Sequence, residues 1–201
     1  MVTYIIIALL AIIFVLDYLV FTPGGVKGWG VIDILFGKQG ERFEPISKQP
    51  NAFTGALCLK TSGVKKGQLW RLVSSALLHG GLFHLLGNSL ALFSAGRFVE
   101  QQLGPWKYLL ALVCGAVFAN LWAMRVFGSE FGFGASGAIY GALGILAAML
   151  LLNPQLIGAF SWPWRVYLAL YLLANVSPDK WSLVEHGGAF IAGIGLAFVL
   201  L

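Results

Sequence analysis

The chain reads as an all-α polytopic membrane protein, a bundle of six transmembrane helices, and three observations lead there. Its 201 residues are 59% hydrophobic and only 10% charged, with a mean hydropathy of +0.84, a composition outside the soluble globular range. The apolar residues fall into several long runs, each near the roughly 20 residues a helix needs to cross the hydrocarbon. Those runs are solidly apolar rather than alternating, which selects helices over barrel strands.

The first span covers about Thr3 to Phe21, with Asp17 near its far end, where an interfacial acid can reach headgroups. The chain starts without a basic segment or a small-residue cleavage site, so this stretch is read as an uncleaved span. Residues 22–76 form a long first loop with short apolar pieces, VIDILFG and GALCL, suited to lying in the interface. Trp70 and Arg71 close it as an aromatic and cationic anchor. The second span runs from about Leu77 to Val99 and carries His79, His84 and Asn88, with Arg97 and Glu100 at its exit, three apart and able to pair. The third, about Trp106 to Val126, holds Asn120 as helix glue. The fourth, 134–152, opens on Gly134, Ser136 and Gly137, with Tyr140 one turn on. A fifth, about Arg165 to Val176, follows Pro163 and is short for a full crossing. Ser177 to Trp181 reads as a surface turn. The sixth, about Ser182 to Leu201, begins near Glu185 and His186. No internal repeat appears, so 1–201 is expected to be one membrane domain.

Six spans alternate direction, so the entrances of the second, fourth and sixth share one side. His84 and Asn88, Ser136, and His186 therefore share a leaflet and a depth. Polar residues are costly in hydrocarbon and any one of them alone could be helix glue; glue has no reason to gather three distant segments at one level. A serine hydroxyl becomes a nucleophile when a base takes its proton, and imidazole is the usual base at neutral pH. His186 can be that base. Asn88, His84 and the Ser136 N–H can donate to a developing oxyanion. Glu185 is adjacent to His186 and should point elsewhere on the helix, which leaves a dyad.

The formal charge of +5 sits mostly in one loop, without a basic face or a nucleic-acid motif, so no nucleic-acid partner is expected. Cys58 and Cys114 offer neither a disulfide framework nor a metal-ligand spacing.

These residues resemble the rhomboid family of intramembrane serine proteases, from about Trp70 to Leu201. His79, His84 and Asn88 stand as HxxxxHxxxN, Ser136 in GASG, and His186 at the opening of the sixth span. The resemblance implies Ser136 as nucleophile, His186 as general base and Asn88 with His84 as oxyanion-hole residues. It implies Tyr140 as the ring packed on the histidine, His79, Gly134 and Gly137 as supporting residues, and Trp70, Arg71 and Glu100 as a structural set. The implied partners are transmembrane protein substrates within a lipid bilayer, favoured where small residues flank the scissile bond; no cofactor or metal is implied. The family pattern HxxGxxxG after the histidine departs here to Ala189 and Gly193, and Glu185 replaces a small residue. Ala189 is still small, which leaves room for the fourth and sixth spans to pack closely through Gly137 and Gly141.

The resemblance implies a multi-pass protein of the plasma membrane whose site opens to the extracytoplasmic side. The first loop carries eight basic residues, Lys27, Lys38, Arg42, Lys48, Lys60, Lys65, Lys66 and Arg71, against Asp33, Glu41 and Glu44. The positive-inside rule orients that charge the other way, though it weakens for long loops. Two other functions stand beside the protease. A rhomboid-like pseudoprotease would bind or move transmembrane helices without cutting them. A small transporter or channel would line a pathway through both leaflets, whereas these polar residues cluster at one end.

Overall fold

The structure, a computed structural model, describes residues 1–21, 35, 52–127, 131–174 and 180–201. Except for Leu35, the interfacial segment expected at 31–37 lies outside the described residues, as do residues 175–179 of the region expected to turn before the sixth span. Helix α1, Val2–Val15, continues as a π-helical turn over Leu16–Phe21. The described part of the first loop folds into α2 (Ala52–Leu57), strand β1 (Leu59–Lys60), α3 (Thr61–Val64) and α4 (Arg71–Ser74), then a 3₁₀ turn at Ser75–Leu77.

The second span starts at Leu82 rather than Leu77. Leu78 is extended and Gly80 and Gly81 follow it, so His79 sits in a non-helical approach. From Leu82 the helix runs through α5 (Leu82–Ala91), a π turn (Leu92–Gly96) and α6 (Arg97–Leu103), past the expected end at Val99. Gly104, at φ +80°, stops it as helix-ending glycines do. Then follow α7 (Pro105–Phe127), strand β2 (Phe131–Gly132), α8 (Ser136–Leu152), a 3₁₀ turn at Pro154–Ala159, α9 (Trp162–Ala174) and α10 (Lys180–Leu200). Pro163 lies inside the first turn of α9 rather than ahead of it, a position that needs no backbone N–H.

By length and composition, Leu82–Leu103, Pro105–Val126 and Leu183–Leu200 can each cross a membrane, and Val2–Tyr18 and Ser136–Leu152 are shorter apolar helices. At 13 residues α9 is shorter still. Large apolar side chains such as Trp106, Ile191 and Phe198 face outward, as an apolar solvent permits.

Helix α8 is the centre. It is apolar all round, and from Ser136 to Leu146 every residue is buried, as expected of a helix with no polar face. Small residues let its neighbours approach. A Cβ on Gly193 of α10 would collide with the Gly141 carbonyl, one on Gly144 would collide with the Phe190 carbonyl, and one on Gly141 would lie 2.9 Å from the Gly115 Cα of α7. The seam between the fourth and sixth spans thus runs through Gly141, Gly144 and Gly193. Gly137 is not part of it: its missing Cβ would strike Ala119 of α7, so it packs the serine helix on the third span instead.

Polar side chains close the remaining ends. Glu100 does not pair with Arg97; it accepts from the Val2 N–H at 2.6 Å, the Thr3 N–H at 3.0 Å and the Thr3 hydroxyl at 2.6 Å. A carboxylate there satisfies orphan donors and suits the positive helix end. Lys107 Nζ donates to the Leu200 carbonyl at 2.6 Å, doing the converse for α10. Asp17 accepts from the Thr54 hydroxyl at 2.6 Å, tying the π-helical turn after α1 to α2.

Removing the Glu100 carboxylate strands three donors at once. Glu100→Ala is expected to lower stability by roughly 2–4 kcal/mol, measured by unfolding in mixed micelles; a loss under about 0.5 kcal/mol, within the ordinary surface range, would show that the cap is dispensable.

Candidate active site

Ser136 is the first residue of α8, and the chain reaches it through a backbone that only glycine adopts easily. Gly134 has φ +127°, and its N–H donates to the Ser75 carbonyl at 3.0 Å. A Cβ at Gly134 would lie 3.0 Å from His84 Cε1 and 3.7 Å from Ser136 Oγ. The His84 ring and the serine hydroxyl therefore flank the same glycine. Upstream, β1 and β2 pair antiparallel, Leu59 opposite Gly132 and Lys60 opposite Phe131. This short ladder inside a helical fold joins the first loop to the serine approach.

His186 Nε2 lies 2.8 Å from Ser136 Oγ, with both residues buried. The Tyr140 ring stacks on the imidazole at 4.5 Å between centroids and 7° between planes. His79 and His84 meet edge to face at 5.0 Å. Asn88, 2% exposed, places Nδ2 3.0 Å from His79 Nε2 and accepts the Tyr171 hydroxyl on Oδ1 at 2.8 Å. With its oxygen facing a hydroxyl donor, the amide nitrogen faces His79, which then presents an unprotonated Nε2.

The structure thus brings together Ser136, His186, Tyr140, Gly134 and His84, and sets Asn88 and His79 beside them. Glu185 turns towards the serine helix: its Oε1 would lie 3.6 Å from a Cβ on Gly137. Ala189 is fully buried, and at the neighbouring Gly188 a Cβ would press on the Trp122 ring at 2.8 Å.

Three of the expected residues lie apart. Glu100 caps α1. Arg71 is buried, its guanidinium donating to the Gly55 and Cys58 carbonyls at 2.8 Å and to Gln68 Oε1 at 2.6 Å. Trp70 is exposed, with its indole N–H 3.3 Å from the Ala56 carbonyl. Burial also pushes the neighbouring Cys58 thiol up, with Arg71 and Lys60 opposing, so it is a poor thiolate.

Tyr167 and Tyr171 join the site without belonging to any of the motifs in the sequence. Tyr167 donates to the Gly87 carbonyl at 2.5 Å and Tyr171 to Asn88. Their signal was present: two tyrosines four apart in a short apolar helix share one face.

Residues 66–201 match the family model described as the Rhomboid domain. The chain belongs to the rhomboid family. Rhomboid protease GluP of Bacillus subtilis (strain 168) is 37% identical over 97 residues, 48% of this chain and 19% of GluP. The YdcA protein of the same organism is 36% identical over 139 residues, 68% of this chain and 70% of YdcA. Inactive RHOMBOID-like protein 8 of Arabidopsis thaliana is 33% identical over 116 residues, 50% of this chain and 33% of that protein. The chain spans about half or less of the length of the Arabidopsis relatives it matches. The rhomboid fold is accordingly that of an integral, all-α polytopic membrane protein, and its relatives carry both protease and inactive names.

Any side chain at Gly134 meets a disfavoured φ and the His84 ring together. Gly134→Ala is expected to cut the reaction of Ser136 with a fluorophosphonate by at least about tenfold, since small misplacements at a reacting centre are that costly, while circular dichroism stays helical. Unchanged labelling would show that the approach tolerates a Cβ.

Proposed function

We propose that this rhomboid is an intramembrane serine protease that hydrolyses peptide bonds in or near transmembrane segments of membrane-protein substrates. The reading rests on the buried 2.8 Å contact between Ser136 Oγ and His186 Nε2. In this reading His186 Nε2 takes the hydroxyl proton as Ser136 Oγ attacks the scissile carbonyl. The oxygen that gains charge lies by the start of α8, where the Ser136 N–H, Asn88 Nδ2 and His84 can donate to it. His186 then gives its proton to the leaving amine, and water, activated by the same imidazole, hydrolyses the seryl ester.

The parallel Tyr140 ring supports this assignment, because it holds the imidazole plane in line with Ser136. Nothing in the cycle calls for a metal or a diffusible cofactor. We further place the site on the extracytoplasmic side of the plasma membrane, following the family resemblance against the charge of the first loop.

The second reading, a pseudoprotease that handles transmembrane helices without cleavage, draws on the relative named inactive. Labelling of the detergent-purified protein with a fluorophosphonate separates the two. Wild type is expected to label, and Ser136→Ala and His186→Ala each to lose labelling and cleavage by about a thousandfold or more with unfolding midpoints near wild type. Folded wild-type protein that resists several probes in several lipids would favour the pseudoprotease.

A further inference from the structure

Tyr171 joins the two halves of the proposed site. It lies on α9, 9% exposed, and its hydroxyl donates to Asn88 Oδ1 at 2.8 Å. Its backbone carbonyl accepts the Tyr140 hydroxyl at 3.2 Å, and the two rings stack at 5.7 Å. Tyr140 in turn lies against His186. One residue of the fifth span therefore touches both the amide assigned to the oxyanion hole and the ring that holds the base.

A carboxamide is nearly symmetric in shape but not in chemistry: only its nitrogen end can donate to a negative oxygen. His79 alone does not fix which end it meets, since a neutral imidazole nitrogen donates in one tautomer and accepts in the other. The Tyr171 hydroxyl meets Oδ1 at 2.8 Å, and a phenol, a better donor than acceptor, favours the oxygen end of the amide on its side. With the oxygen held there, Nδ2 lies 3.0 Å from His79 Nε2, and His79 meets the His84 ring, which flanks Gly134 as Ser136 does; the second N–H of Nδ2 remains for the reaction.

We propose that Tyr171 is a positioning residue: by donating to Asn88 Oδ1 it fixes the carboxamide with its N–H groups towards the nucleophile and so sets the strength of the oxyanion hole. The inference rests on the serine-protease reading. It also makes the hole depend on where α9 sits, because a displaced α9 takes the donor with it.

The test is the rate of fluorophosphonate labelling of the full-length protein, whose phosphoryl oxygen occupies the oxyanion position, in a double-mutant cycle. Tyr171→Phe, which removes only the hydroxyl, is expected to slow labelling about tenfold, less than the direct loss of a donor, with the unfolding midpoint unchanged. Added to Asn88→Ala it is expected to slow labelling no further, because its effect passes through Asn88. A Tyr171→Phe rate within twofold of wild type, or losses that multiply, would overturn the proposal. A second readout does not need activity: the side-chain amide ¹⁵N resonance of Asn88, identified by its absence in Asn88→Ala, is expected to shift in Tyr171→Phe, and an unmoved resonance would equally overturn it. Wild type that never labels would sink the protease reading, while the resonance still decides whether Tyr171 holds the amide.

Discussion

From Ser136 to Leu146 helix α8 has no free face, and the rest of the structure depends on that. Because its neighbours touch it backbone to backbone, the relative height of α8 and α10 is set by glycines rather than by adaptable side chains. Gly193 lies seven residues beyond His186, about two turns or roughly 10 Å along the axis. A Cβ there would push against the Gly141 carbonyl, and α10 would have to move as a body. The 2.8 Å contact between His186 and Ser136 is therefore a consequence of a seam some two turns away. Close small-residue packing suits a solvent in which apolar burial supplies little drive between helices.

Where packing cannot reach, polar groups are satisfied by one another. Asn120 of α7 donates to the Leu72 carbonyl and to Ser75 Oγ, each at 2.9 Å. The Ser75 carbonyl in turn holds the Gly134 N–H, and Leu59 pairs with Gly132. With Arg71 fastening the Gly55 and Cys58 carbonyls, a continuous chain of bonds runs from the first loop to the residue two before the serine. Such networks stiffen when fully satisfied. The first loop thus belongs to the machinery that presents Ser136.

Much of this was legible in the sequence because the membrane permits few solutions. Long apolar runs had to be helices, and the expected alternation of six spans put Ser136 and His186 at one depth, where the structure holds them 2.8 Å apart. The start of the second span was not legible in the same way. Hydropathy does not register that Gly80 and Gly81 break a helix, so His79 was placed in the span when it lies in the approach to it. The β1 and β2 ladder is two residues long and carries no alternating pattern to read. The partners of Glu100 were hidden because its acceptor role is to the backbone of α1, nearly a hundred positions away, whereas Arg97 stood three residues off and offered an obvious but unused pair. Gly137 was legible as a close contact, but composition does not say which neighbour it meets.

The orientation of His186 illustrates what the medium favours. In a soluble triad a buried carboxylate aligns the imidazole, but an added charge within a membrane is expensive. Here the face of the ring is restrained as well. Tyr140 lies parallel to the imidazole, and its hydroxyl is tied to the Tyr171 carbonyl, so two neutral aromatic residues restrain the ring without introducing charge. The same economy appears at Asn88, where neutral His79 and Tyr171 hold a neutral amide. Among the described residues the buried acid is Glu100, which sits at the opposite end of its helix against three donors. At Glu100 a helix terminus compensates the charge, and around Asn88 and the outer face of His186 shape with hydrogen bonding does the aligning.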